Sequence, residues 1–328
     1  MLYNDIDFNH KTILITGAAG FIGSNIVFYF QDNFKDANIV AVDCFQGVDK
    51  LSNGNQKSFG HYANLVGYTG IVLSGDINDE NFLDKLSQNY KFDYIFHQAA
   101  ISDTTANEQD LMIKTNTNAY ESLLQIAIKH KANMIYASSG ATYGDSDRFE
   151  VGYEKPNNVY GFSKVCMDNI TKNYIKRGLD ISVVGLRYFN VYGKNEFFKN
   201  KTSSMVLQFG LQILRGETPK LFEKSDKIKR DFVYIKDVVQ ANIKAAAPQK
   251  SGIYNVGTGV ARSFESIVNI LQKELNINNG KQYIKNPFEN QYQYFTQANI
   301  QDTIKYLNYK PVFTLELGVK DYIKDIVS

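Results

Sequence analysis

The sequence predicts an α/β protein: a doubly wound parallel sheet with a smaller C-terminal α/β domain. Three observations carry that expectation. As far as Phe189, short β-branched runs alternate with long helical patterns, the signature of parallel strands linked by helices. The apolar run "KTILIT" passes directly into "GAAGFIGSN", which places glycine at Gly17, Gly20 and Gly23. From Asn190 onward the alternation gives way to loops, isolated helices and short strands. A chain of 328 residues is long enough for one large or two modest domains. The change of character sets the expected boundaries. Residues 1–189, with returns near 231–260, form the first domain, and 190–230 with 261–328 form the second.

Lys11 to Thr16 reads as a buried strand and "FIGSNIVFYF" as the helix after it. Glycine is poor in a helix interior, so three at intervals of three need a reason. Gly17 makes the tight turn, Gly20 lets a pyrophosphate approach the backbone, and Gly23 lets the helix sit close on the strand. The helix N-terminus then aims free N–H groups at the phosphates. A strand before the glycines and a helix after them are the context in which the pattern means dinucleotide binding. The next strands are "NIVAVD" ending at Asp43, "GIVLSGD" ending at Asp76 and "DYIFHQAA" ending at Ala100. A helix is expected over Asn107 to Lys131, then the strand "ANMIYASS" ending at Ser139. A second long helix over Val159 to Arg177 precedes "ISVVGLRYF", which ends at Phe189. "RDFVYI" and "GIYNVGT" are short strands of the later part.

Composition narrows the class. Hydrophobic residues make up 44% and charged residues 21%, the balance of an ordinary soluble globular chain. A net charge of +2 gives no electrostatic case for a nucleic-acid or membrane partner. No stretch is apolar and long enough to span a bilayer. The opening "MLYNDIDFNHK" has acids and no apolar core, so no signal peptide is expected there. Cys44 and Cys166 are too few for a disulfide framework, and 4 His make no metal cluster. No metal site is expected, and the expected compartment is the cytoplasm.

In an open parallel sheet, ligands bind beyond the carboxyl ends of the strands. Asp43 ends the second strand about twenty residues after the glycines, where a carboxylate accepts hydrogen bonds from a ribose. Asp76 and Ile77 lie where an adenine would, and Gln98 to Ala100 offer small residues beside a pyrophosphate or the nicotinamide ribose. Tyr160 and Lys164, in "NVYGFSK", share one helix face. An ammonium beside a phenol favours the phenolate, which lowers the tyrosine pKa toward neutrality. Tyr160 then serves as acid and base for an alcohol–ketone interconversion. Ser139, at the end of its strand, can bind the same substrate oxygen. A Tyr–Lys pair is common on ordinary helices. The glycine turn and Ser139, in the right order, make this one a candidate catalytic site.

Together "TGAAGFIG", "SSGATYG", "YGFSK", "RYFNVYG" and "RDFVYIKDV" resemble the extended short-chain dehydrogenase/reductase family, with its Rossmann sheet, along nearly the whole chain. "HQAAISDTT", "FFKNKTSSM", "GETPKLFEKSDKIKRDFVY" and "QYQYFTQANI" resemble, within it, the ADP-L-glycero-D-manno-heptose 6-epimerases. That resemblance implies an isomerase of carbohydrate metabolism in which C6 of ADP-D-glycero-D-manno-heptose is oxidised to a ketone on a tightly held NADP. Hydride then returns to the other face, and the product feeds lipopolysaccharide inner-core biosynthesis. It assigns acid/base roles to Tyr160 and Lys199, with Lys164 and Ser139 completing the catalytic group. It puts NADP at Gly17, Gly20, Phe21, Ile22, Gly23, Asp43, Cys44, Lys50, Asp76, Ile77, Gln98, Ala99, Ala100, Ser102, Asn116, Lys164 and Val191. It puts the ADP-heptose at Ser102, Asn190, Lys201, Gln208, Phe222, Glu223, Lys224, Ser225, Arg230 and Tyr292. A homo-oligomer is implied as well, the resembled family being pentameric. The sequence departs from the family at Lys194-Asn195, where Pro-Arg is usual, at Gly140, and at Lys201 and Gln208.

Inverting a carbinol by hydride return presents the ketone once on each face, so the substrate oxygen occupies two places. A second proton carrier on the opposite wall is then useful, and Lys199 is the candidate. Asp43 alone favours NAD, because a 2′-phosphate carries about −1.5 to −2 charge. Lys50 in the same loop can offset that, and the resemblance favours NADP. Two other readings stay open. One is a relative acting on another nucleotide sugar, as a UDP-hexose 4-epimerase or a GDP-sugar reductase, against which "SDTT" and "FTQA" argue. The other is a dinucleotide-sensing protein without catalysis, which has no need of Tyr160, Lys164 and Ser139 together.

Overall fold

β1 (Thr12–Thr16) carries Ile13 and Ile15 to one face of a sheet and Leu14 to the other, and all three are fully buried. A strand buried on both faces needs helices on both sides, and the rest of the first half supplies them. The computed structural model describes residues 3, 6–285 and 293–327. In chain order, β1 is followed by α1 (Phe21–Asn33), β2 (Asn38–Asp43), β3 (Ile71–Ser74), α2 (Glu80–Asn89) and β4 (Tyr94–His97). Next come α3 (Gln109–Met112), a π-helical segment (Ile113–Asn118), α4 (Ala119–His130), β5 (Asn133–Ser139), α5 (Val159–Lys176) and β6 (Val183–Tyr188). The later part holds β7 (Asn190–Tyr192), α6 (Met205–Leu214), β8 (Lys220–Phe222), β9 (Lys229–Tyr234), α7 (Ile235–Lys244) and β10 (Gly252–Val256). β11 (Ala261–Ser263), α8 (Phe264–Leu275), β12 (Gln282–Ile284), α9 (Gln301–Leu307) and α10 (Leu315–Ile326) close it.

The main sheet has seven strands in the order β10-β6-β5-β4-β1-β2-β3, every pair parallel. It is the doubly wound, Rossmann-like sheet that the alternation predicts. Val27 and Phe30 of α1 and Val238 of α7 cover one face, while Leu83 and Leu86 of α2, Leu123 of α4 and Met167 of α5 cover the other. The long helix expected over Asn107 to Lys131 is interrupted by the π segment. Within it, Asn116 turns its amide to the backbone of Ile101, accepting at 2.9 Å and donating at 3.0 Å. Side chains close the helix starts: Asp79 caps α2, Asn158 caps α5 and Ser204 caps α6.

Past Tyr188 the chain leaves the main sheet. β7 pairs with β9, and β9 with β11, in a three-stranded sheet, while β8 and β12 form a two-stranded one. Of the two short strands expected in the later part, only β10 returns to the main sheet, beside β6. β9 does not, because β7 takes its register instead, from Asn190 opposite Phe232 to Tyr192 opposite Tyr234. α6, α8 and α10 pack on one another and extend the core of the α1 and α7 face.

One buried carboxylate ties these layers. Asp231 on β9 is fully buried and accepts from Thr258 N, Thr258 Oγ1, Gly259 N and Ala298 N at 2.7–3.1 Å. Asp231→Ala removes the acceptor of four donors, one buried and three part-buried, and an orphaned buried donor costs about 1–3 kcal/mol. The variant should lose roughly 3 kcal/mol or more in a denaturant titration. A loss under about 1 kcal/mol would show that the chain re-pairs those groups.

Candidate active site

The cleft begins where β1 gives way to α1. Gly17 sits at φ +67°, and a Cβ there would lie 2.6 Å from Ala99 N. Only glycine fits, because the turn after β1 touches the turn after β4. A Cβ on Gly23 would come within 2.1 Å of Gly17 O. The close packing that Gly23 permits is therefore against the glycine turn itself, where helix-on-strand packing was expected. Gly20 caps α1 with no side-chain hydrogen bond, so the free N–H groups of the first turn stay open to an anion.

A cleft of about 460 Å³ extends from this turn along the carboxyl ends of the strands. Its lining includes Gly17, Gly20, Phe21, Ile22, Gly23, Asp43, Cys44, Asp76, Ile77, Gln98, Ala99, Ala100, Ser102 and Val191. Asn190 and the four candidate catalytic residues, Ser139, Tyr160, Lys164 and Lys199, line the same space. Asn116 stands behind it, fully buried, with its amide also on Ser163 Oγ at 3.0 Å. Asp43 turns Oδ2 to Ala19 N at 2.9 Å and Oδ1 to Phe45 N at 2.8 Å. It thus braces the glycine turn as well as facing the cleft. Burial pushes its carboxyl up, and the N–H groups of Phe45 and Ala19 pull it back.

Other expected residues lie elsewhere. Lys50 is exposed and bridges to Gln56 along the backbone; Lys57, seven residues on, lines the cleft instead. The loop doubles back at Gly54, where φ is +82°, and this exchanges the two lysines. Lys201 and Gln208 stand off the cleft, with Gln208 Nε2 donating to Lys201 O and Ser203 O. Phe222, Glu223, Lys224 and Ser225 form the end of β8 and its turn, held by Glu223 N on Ile284 O at 2.9 Å. Arg230 reaches Gln293 O, and its guanidinium lies 6.0 Å from the Phe264 ring centroid. Phe264 and Phe232 line the cleft, apolar wall residues that the motifs left out. Tyr292 lies outside the described residues.

The candidate catalytic residues Ser139, Tyr160 and Lys164 meet at β5. The Ser139 hydroxyl bonds Tyr160, and Lys164 Nζ donates to Ala137 O at 2.7 Å, lying 5.8 Å from the Tyr160 ring centroid. Burial pushes the Tyr160 phenol up and Ser139 pulls it back, so the expected drop toward neutrality is absent from the protein alone. Burial likewise draws Lys164 down to about 8, against the charge of Asp168. His97 of β4 shares a 2.7 Å hydrogen bond with Thr16 Oγ1. Burial and the Lys164 charge hold it down to about 3, so it is neutral.

Lys199 arrives on the loop after β7. Burial draws its ammonium below the usual lysine range, while Glu196 and Asp103 push it back up. Glu196 clasps that loop at both ends, accepting from Gly193 N at 3.0 Å, Ser204 N at 2.6 Å and Ser204 Oγ at 2.8 Å. Phe198 stacks on His61 at 3.6 Å between ring centroids, and Asn195 Nδ2 donates to Ser24 Oγ at 2.9 Å. Asn195, a departure from the family pattern, therefore fastens the loop to α1. Asp103 accepts the amides of Asn53 and Asn55 at 2.8 and 2.7 Å, fastening the loop that carries Lys57. Asp103 lies inside "HQAAISDTT" but was given no role there, and Glu196 lies in none of the quoted motifs; a lone acid in a loop gives no signal of its own in one sequence.

The NAD dependent epimerase/dehydratase family matches residues 13–257. The chain belongs to that family. Among its relatives, the ADP-L-glycero-D-manno-heptose-6-epimerase of Brachyspira hyodysenteriae is 36% identical over 321 residues, 94% of this chain and 96% of that one. The crystal structure of the Helicobacter pylori ADP-L-glycero-D-manno-heptose-6-epimerase matches at TM-score 0.89 and 48% identity, over 100% of both chains. The UDP-glucose 4-epimerase of Thermotoga maritima, solved with UDP-glucose, matches at 0.83 and 26%, over 95% of this chain and 97% of that one. Membership fits the glycine cradle. Gly17 and Gly23 leave no room for side chains, and the uncapped start of α1 has the form of the phosphate end of a dinucleotide site.

Proposed function

We propose that the chain is an ADP-L-glycero-D-manno-heptose 6-epimerase, converting ADP-D-glycero-D-manno-heptose to its L-glycero epimer for lipopolysaccharide inner-core biosynthesis. The observation that carries this reading is the 48% identity to the H. pylori enzyme along the full length of both chains. Identity to the T. maritima UDP-glucose 4-epimerase is 26%, which disfavours the rival nucleotide sugar. The same reading includes a homo-oligomer in the cytoplasm.

A bound nicotinamide dinucleotide supplies a reversible hydride acceptor next to C6. The glycine turn, Asp43 and the α1 N-terminus would hold it. The chain's own residues handle the proton. As the carbinol becomes a ketone its hydroxyl proton leaves, and a proton returns once the other face is reduced. Tyr160 and Lys199, from different elements of one cleft, divide these transfers. Ser139 orients the substrate oxygen. Lys164 places positive charge by the phenol, which burial otherwise keeps protonated. Lys199, drawn down by burial, lies closer to the neutral amine that accepts a proton.

Tyr160→Phe should cut turnover by roughly 10²–10⁴, the usual worth of acid–base catalysis, with melting temperature and bound dinucleotide kept. Lys199→Met should also slow epimerisation severely. Full activity in Lys199→Met would return that lysine to an ordinary loop position.

The dinucleotide is read as NADP. Asp43 is engaged by backbone N–H groups, and Lys57 lines the cleft, so a 2′-phosphate of about −1.5 to −2 charge has a cation within the same wall. Denaturing the purified protein and separating the released nucleotides should yield NADP. NAD alone would overturn that choice and leave the epimerase reading intact.

The whole reading is tested by running ADP-D-glycero-D-manno-heptose in D₂O with no added cofactor. Carbohydrate NMR should show the L-glycero product with no deuterium at C6 or its neighbours. Deuterium on carbon would mean proton abstraction beside a carbonyl, and no conversion at all would reject the substrate.

A further inference from the structure

Asp168 takes no part in the proton transfers above, yet it is built into the wall behind them. Tyr160, Lys164 and Asp168 follow one another at one-turn intervals along α5. All three dock on β5. Tyr160 meets the Ser139 hydroxyl, and Lys164 Nζ donates to Ala137 O at 2.7 Å. Asp168 Oδ1 accepts from the Tyr136 hydroxyl at 2.8 Å and Oδ2 from the Ser138 hydroxyl at 3.1 Å. From β6, Arg187 donates to Oδ2 through Nε at 2.8 Å and approaches it through Nη2 at 2.7 Å. The same Nη2 reaches Glu154 at 2.5 Å. Asp168 and Arg187 are fully buried.

Apolar residues of similar volume would hold a helix on a sheet as well as a buried ion pair does. What the carboxylate adds is its field at Lys164, one turn away, whose hydrogen-bond acceptor among the described residues is a neutral carbonyl. Resting on the epimerase reading, we propose that Asp168 is a positioning residue for the Tyr160–Lys164 pair. Its carboxylate pins α5 in register on β5 and supplies the negative charge that keeps the buried Lys164 protonated.

The surrounding groups leave that task to Asp168. On β4, His97 is neutral and unable to counter Lys164. On α5 itself, burial keeps Tyr160 in its phenol form. Arg187 on β6 and Glu154 in the loop before α5 bind each other as well as the Asp168 cluster. Burial has already drawn Lys164 down to about 8, and Asp168 opposes it. Removing that charge draws Lys164 lower still. The ammonium is then lost at lower pH, and the alkaline limb of the rate profile moves down.

Asp168→Asn keeps the shape and an acceptor for Tyr136 but removes the charge. Its alkaline limb in kcat should fall by about one pH unit or more, the usual effect of one nearby opposite charge, with KM little changed. The variant also leaves Arg187 short of a partner, so Asp168→Asn with Arg187→Met is the second test, free of an uncompensated buried cation. It should show the same downward shift. A limb at its wild-type position in either folded variant overturns the proposal. So does failure of both to fold, since the fold is here assigned to hydrogen bonds and packing that the pair retains. Wild-type turnover of ADP-heptose tests the substrate reading separately. If that turnover is absent, an NMR titration of the Lys164 side chain, assigned by comparison with Lys164→Met, still decides. Its midpoint should fall in Asp168→Asn, and an unmoved midpoint overturns the proposal.

Discussion

Everything in the cleft depends on one contact between backbones, Gly17 against Ala99. The strand order reverses between β1 and β4: from β1 the chain winds toward β2 and β3, and from β4 it winds toward β5 and β6. A crevice opens where neighbouring strands send their connections apart. Gly17 follows one of those strands and Ala99 the other. Had either needed a side chain at the contact, β1 and β4 could not pair from Ile13 opposite Tyr94 to Thr16 opposite His97. Gly23 answers the same constraint one turn later, by letting α1 start against the Gly17 carbonyl. Sheet pairing, helix direction and an open cradle of N–H groups thus have a common cause.

The second constraint is electrostatic, and it lies under the catalytic helix. Taking Lys164, Asp168, Arg187 and Glu154 out of water is costly unless each finds partners. They find them across three elements: carbonyl and hydroxyls on β5, the guanidinium on β6, and the loop that carries Glu154. Glu154 is held down to about 2 by Arg187, so that carboxylate stays charged across the physiological range. Arg187 Nη1 is left without a partner, but the bonds from Tyr136, Ser138 and Arg187 to Asp168 hold α5 in one register. The register matters because a shift of one residue would swing Tyr160 away from Ser139.

The first half of the fold was legible because its strands are buried on both faces and its helices are long. β2 begins and ends where its quoted run does, and β5 ends with its run and starts one residue inside it. The glycine turn and the Tyr160–Lys164 pair were legible because their chemistry requires particular residues at fixed spacing. Less readable was anything set by tertiary packing. Lys50 and Lys57 sit in one hydrophilic loop, and only the reversal at Gly54 decides which faces the cleft. The Tyr160 phenol illustrates a different gap: spacing displays the lysine's charge, but not the burial that outweighs it. β9 looked like a return to the main sheet, since a strand's sequence does not say which neighbour it will pair with.

The loop that carries Lys199 shows how the second half is made to serve the first. Beyond the bonds within the loop itself, its hydrogen bonds tie it to elements formed earlier in the chain. Asn25 Nδ2 holds Lys194 O at 2.9 Å, Asn64 Nδ2 holds Asn195 O at 3.1 Å, and Gln46 Nε2 holds Phe198 O at 3.3 Å. Each donor sits on α1 or on the segment between β2 and β3, the elements that also frame the glycine cradle. The loop therefore cannot move without disturbing the wall that would hold a dinucleotide. Lys199 lies 5.8 Å from the ring centroid of Phe21, the first residue of α1. On the proposed assignment, the second proton carrier is fastened beside the start of α1 and keeps a set distance from the first, which is fastened to β5. That separation is what an epimerase needs when its substrate oxygen must be met in two places by groups that do not travel with it.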